Sequence, residues 1–118
     1  MKTSTHTNLK TKFLLILTLS MIPGMILAQV NPGDIITTDL TLTADLDASA
    51  YNGSAIRVGA NNITIDGAGF TITANGGYNG IDLHNYSGVT IENVTIIGSV
   101  PGQGSSISIS NSSNNTIQ

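Results

Sequence analysis

Asn61-Asn62-Ile63-Thr64-Ile65-Asp66-Gly67-Ala68-Gly69-Phe70-Thr71-Ile72 decides the fold, because its pattern returns one period later as Ser87-Gly88-Val89-Thr90-Ile91-Glu92-Asn93-Val94-Thr95-Ile96. Alternation of apolar and polar residues with period two marks strands with one buried face. Working outward, Ile56-Arg57-Val58, Ile81-Asp82-Leu83 and Ile107-Ser108-Ile109 begin at 56, 81 and 107, while second triplets begin at 63, 89 and 115. A spacing of 25 or 26 residues with no helical stretch between the triplets predicts stacked coils. An antiparallel sandwich would give strands of similar length without matched positions at a fixed offset.

The expected fold is therefore all-β: a parallel β-helix of about three to four coils over 34–118, with three strands per complete turn. Phe70-Thr71-Ile72 and Val94-Thr95-Ile96 supply the third strands. Ile56, Ile81 and Ile107 should form one interior column and Ile65, Ile91 and Ile117 another, with Thr64, Thr90 and Thr116 outside. Asn115 breaks the pattern, since Ile63 and Val89 call for an apolar residue there. Leu40-Thr41-Leu42, 23 residues before Ile63-Thr64-Ile65, is read as the opening coil with a shortened corner, and 47–54 as a loop.

Residues 1–28 have the layout of a secretory signal peptide: Lys2, Lys10 and Lys12, then the apolar run from Phe13 to Leu19, a Pro23-Gly24 break, and Ala28 before Gln29. The apolar run is short of the ~20 residues that span a bilayer. Residues 29–33 form a lead-in. The expected location is secreted, periplasmic or cell surface. After residue 28, Arg57 is the one basic side chain among the lysines and arginines, against seven carboxylates. That balance excludes a basic patch for nucleic acid or anionic membrane. The chain has no cysteine, so export would not be exploited through disulfides. Asn52, Asn62, Asn85, Asn93, Asn111 and Asn114 lie in Asn-x-Ser/Thr sequons, which the turn-rich composition explains without glycosylation. The last residues, Asn115 to Gln118, stop inside a triplet with no capping coil, so the rest of the chain is expected beyond residue 118.

The two quoted runs resemble right-handed parallel β-helix repeats of the pectate-lyase-like enzymes, the NosD-like periplasmic proteins and many exported surface proteins. The resemblance covers roughly 34–118 and includes the opening Ile36 to Leu46. The pectate-lyase-like relatives imply a Ca²⁺-holding carboxylate cluster and a basic residue that abstracts a proton. The NosD-like relatives imply a role near copper-enzyme maturation. Neither residue set is complete here: the mature chain has no lysine, and no Met/His/Cys cluster suits copper.

Few groups offer chemistry. Asp82 and His84 point outward from one strand, and Asp82 is expected to pair with Arg57 one coil earlier. Asp66 and Glu92 occupy matching corner positions, but two carboxylates fall short of the roughly six to eight oxygens that Ca²⁺ takes. Asn85 and Asn111 are read as an asparagine ladder serving corner backbone groups. No residue is assigned a catalytic, cofactor-binding or metal-binding role. The expected function is a non-catalytic exported scaffold whose polar faces meet a polysaccharide or a cell-surface partner. The alternative is the front of a secreted polysaccharide lyase or glycoside hydrolase with its catalytic residues beyond 118.

Overall fold

The computed structural model describes residues 29–118, so the signal-peptide assignment lies outside the described residues. Eleven short strands follow in order: β1 (Asp34–Ile36), β2 (Leu40–Thr41), β3 (Leu46–Asp47), β4 (Ile56–Val58), β5 (Thr64–Asp66), β6 (Thr71–Thr73), β7 (Ile81–His84), β8 (Thr90–Glu92), β9 (Thr95–Ile97), β10 (Ile107–Ser110) and β11 (Thr116–Ile117). They form three sheets, β1-β4-β7-β10, β2-β5-β8-β11 and β3-β6-β9. Every pairing is parallel and joins a strand to its equivalent one coil away. This is a β-solenoid of three coils with two strands of a fourth, and no helix occurs among the described residues.

Parallel pairing stacks equivalent residues about 4.8 Å apart. Ile56 lies beside Ile81 and Ile81 beside Ile107; Ile65, Ile91 and Ile117 make the second column; Leu46, Ile72 and Ile96 make the third. Ile56, Ile65, Ile72, Ile81, Leu83, Val89 and Ile91 are fully buried, and no polar or charged residue is buried among the described residues. Each such side chain contributes roughly 1.5–3 kcal/mol relative to exposure. The columns lose cover at the fourth coil, where Ile109 is 45% and Ile117 50% exposed.

The opening coil departs from expectation. Leu40 pairs with Ile65 and Thr41 with Asp66, an offset of 25, not 23. A two-residue slip keeps every side chain on its own face, so alternation alone could not separate the two registers. Hydrogen bonding separates them: Asp39 Oδ1 accepts the Thr64 N–H at 2.8 Å, and Leu42 N donates to the Asp66 carbonyl at 2.9 Å. Asp47, expected in a loop, is the last residue of β3 and pairs with Thr73. The apparent alternation from Leu40 to Leu46 breaks at an exposed bend around Ala44.

Between strands the main chain turns away from the ladder, and side-chain oxygens take the place of carbonyls. Asp45 Oδ1 accepts Thr71 N at 2.8 Å, Asn61 Oδ1 accepts Ser87 N at 2.8 Å, and Asn79 Oδ1 accepts Ser105 N at 3.0 Å. Five other asparagines have another task. Asn62, Asn85, Asn93, Asn111 and Asn114 all adopt positive φ, between 49° and 68°. Asparagine tolerates this left-handed region better than other residues with a Cβ. Asn62 and Asn114 share their corner position with Gly88, whose φ is 71°. Asn85 and Asn111 recur because each follows a strand of the first sheet in a left-handed turn.

Candidate functional site on the first sheet

The outward face of β1-β4-β7-β10 brings Arg57, Asp82 and His84 together. Outward positions alternate with the buried Ile56, Val58, Ile81 and Leu83, which presents Ile35, Arg57, Asp82 and Ser108 in one column. Two residues further along, His84 lies beside Ser110. An open depression on this face is lined by Ile35, Arg57, Gly59, Asp82, His84 and Tyr86, among others. Gly59 makes room for it: a Cβ there would lie 2.4 Å from Ile35 Cγ2.

The geometry revises the expected chemistry. Arg57 and Asp82 are register partners, as the spacing requires, and both line the depression. Arg57 and His84 sit on different coils but line the same depression. His84 Nδ1 is in hydrogen-bond contact with Ser110 Oγ, one coil further on. Sequence reasoning missed that contact. The matching offset of 26 residues between His84 and Ser110 was the available signal.

A second depression lies at the corner after β5 and β8, around Asp66, Asn93 and Gln118. Asp66 and Glu92 are register partners here, as expected. Their oxygens already accept amide donors. Asp66 Oδ1 accepts from Ala68 N at 2.8 Å and from Asn93 Nδ2 at 3.2 Å, and Glu92 Oε2 accepts from Gln118 Nε2 at 2.9 Å. Among the described residues no three His, Cys, Asp or Glu side chains gather into a metal-binding group. What this corner does chemically is hold consecutive coils together.

The fold and these faces define the chain as a parallel β-solenoid built from β-helix repeats. No protein-family model, no curated protein and no solved structure matches it.

Proposed function

We propose that this chain is an exported, non-catalytic β-helix scaffold that presents its sheet faces to glycan or protein partners. The observation that carries the reading is the stacking of like polar groups once per coil, Thr64 beside Thr90 and Thr90 beside Thr116. A surface that offers the same hydrogen-bonding group at a fixed interval suits weak, multivalent contact with a polymer that repeats its own hydroxyls. The N-terminal layout supports export to the periplasm, cell surface or medium, with residues 1–28 removed. Among β-helix proteins, the repeat resembles the pectate-lyase-like and NosD-like types.

One observation favours a second reading, the front of a carbohydrate-active enzyme: Arg57, Asp82 and His84 line one depression. Acid–base work on a glycan requires groups of these types within reach of one another. A single experiment separates the readings. The exported protein is offered to a panel of neutral and acidic polysaccharides, with both co-sedimentation and chain cleavage measured. The scaffold reading expects retention without cleavage, weakened by Thr64→Ala combined with Thr90→Ala. Cleavage abolished by His84→Ala or Asp82→Ala would establish the enzyme reading instead. Absence of retention on every polymer would remove the glycan partner. Sequencing of the exported chain should begin at Gln29.

A further inference from the structure

Three identical dipeptides, Asn52-Gly53, Asn75-Gly76 and Asn79-Gly80, occur in this chain. Asn-Gly is the dipeptide in which the following main-chain nitrogen most readily reaches the asparagine side chain, because glycine places no Cβ in its path. The structure puts the three in different situations.

Asn79-Gly80 is locked into the solenoid. Gly80 N donates to the Ser105 carbonyl at 3.0 Å, Asn79 Oδ1 accepts the Ser105 N–H at 3.0 Å, and the Asn79 carbonyl accepts Ala55 N at 3.0 Å. Gly80 is itself buried. Asn75 is held by its side chain, with Nδ2 donating to the Tyr51 carbonyl at 3.0 Å and Oδ1 accepting Gly77 N at 3.4 Å. Asn52 is exposed, lies in no strand, and neither its side chain nor Gly53 N–H bonds to any described residue. The chain is anchored on both sides, at Tyr51 N to the Ala48 carbonyl and at Ala55 N to the Asn79 carbonyl, both at 3.0 Å. Of the six sequon asparagines, Asn52 is also the one without a left-handed φ, so no corner depends on it.

We infer that Asn52 is a site of spontaneous covalent modification, converting to aspartate and isoaspartate through a cyclic imide, while the same dipeptide at Asn79 is protected by the fold. In this reaction Gly53 N, after losing its proton, attacks Asn52 Cγ. A C–N bond forms, the Cγ–Nδ2 bond breaks, and the side-chain nitrogen leaves as ammonia with the returned proton. Water then opens the five-membered ring at either carbonyl. Opening at one gives aspartate; opening at the other gives isoaspartate, with the main chain rerouted through the side chain. No oxidant, metal or partner is needed. The product carries a new carboxylate beside Tyr51 and no longer offers the Asn52 sequon. At Asn79 the attacking nitrogen is committed to Ser105, so reaction requires local opening of the coil.

The test uses the folded full chain, aged at mildly alkaline pH and mapped by peptide mass spectrometry, with isoaspartyl methyltransferase as the probe for the rerouted product. A second sample is aged in urea as the unfolded reference. In the folded chain Asn52 should convert first, Asn75 more slowly, and Asn79 on the order of tenfold or more slower than Asn52, with the three rates converging in urea. Gly53→Ala should slow Asn52 alone. Equal rates at Asn52 and Asn79 in the folded chain would overturn the inference. So would conversion of Asn52 in urea but not in the folded chain, or an undiminished rate in Gly53→Ala.

Discussion

Asn115 Oδ1 accepts the backbone N–H of Val89, one coil back, at 2.9 Å. Asn115 occupies the position held by Ile63 and Val89 in the preceding coils, where both are buried. Restoring the column with Asn115→Val would look favourable from the repeat pattern. The structure predicts the reverse, because the partly buried Val89 N–H would lose its acceptor at a cost of about 1–3 kcal/mol. Asn115→Asp keeps an acceptor oxygen and should cost less. Urea midpoints of the two variants check the order; a more stable Asn115→Val would show that the hydrogen bond contributes nothing.

Neighbouring positions on β8 should differ sharply in tolerance. Ile91 is fully buried between Ile65 and Ile117, whereas Thr90 belongs to the outer threonine column. Ile91→Asp places a charge in an apolar column with no cation at hand, and loss of cooperative folding is expected. Thr90→Asp faces solvent and should change stability by about 0.5 kcal/mol or less. Thermal unfolding followed by circular dichroism distinguishes them, and similar midpoints would contradict the inside–outside assignment.

Two glycines make a second contrasting pair. A Cβ at Gly67 would lie 2.5 Å from the Asn93 carbonyl oxygen and 2.6 Å from Val94 Cα, so main chain would have to move. At Gly77 nothing lies within 4 Å, and its φ is not in the left-handed range. Gly67→Ala should destabilise by about 1–3 kcal/mol through overpacking. Gly77→Ala should be neutral or stabilising by up to about 1 kcal/mol, through a less flexible unfolded chain. Denaturant titration of both variants supplies the comparison.

Asp47 carries the acid-side prediction. The Ser49 side chain, and then the Ser49 N–H donating to Oδ1 at 3.0 Å, hold its carboxyl below the ordinary aspartate range. A carboxylate depressed on folding contributes stability in full above its unfolded pKa and loses it as pH falls through the lower folded value. The loss should therefore fall on the acid side of the usual aspartate titration. Asp47 is fully exposed, so the change will be small. NMR titration of the Asp47 carboxyl should give a value below that of an unstructured aspartate, and Ser49→Ala should return it toward that reference.

The sequence by itself determined the solenoid, its period and its interior columns. Strands paired in parallel with equivalents one coil away must bury the same face at the same offset, so Ile56, Ile81 and Ile107, or Thr64, Thr90 and Thr116, announce their stacking as repetition. Only the tertiary structure decided what repetition does not encode. The opening coil took an offset of 25 because Asp39 could accept Thr64 N there, a choice invisible to a pattern of period two. His84 found Ser110 because contacts between exposed side chains depend on rotamers as well as register. Three identical Asn-Gly dipeptides acquired three environments, since the reach of an amide nitrogen depends on which carbonyl, one coil away, holds it.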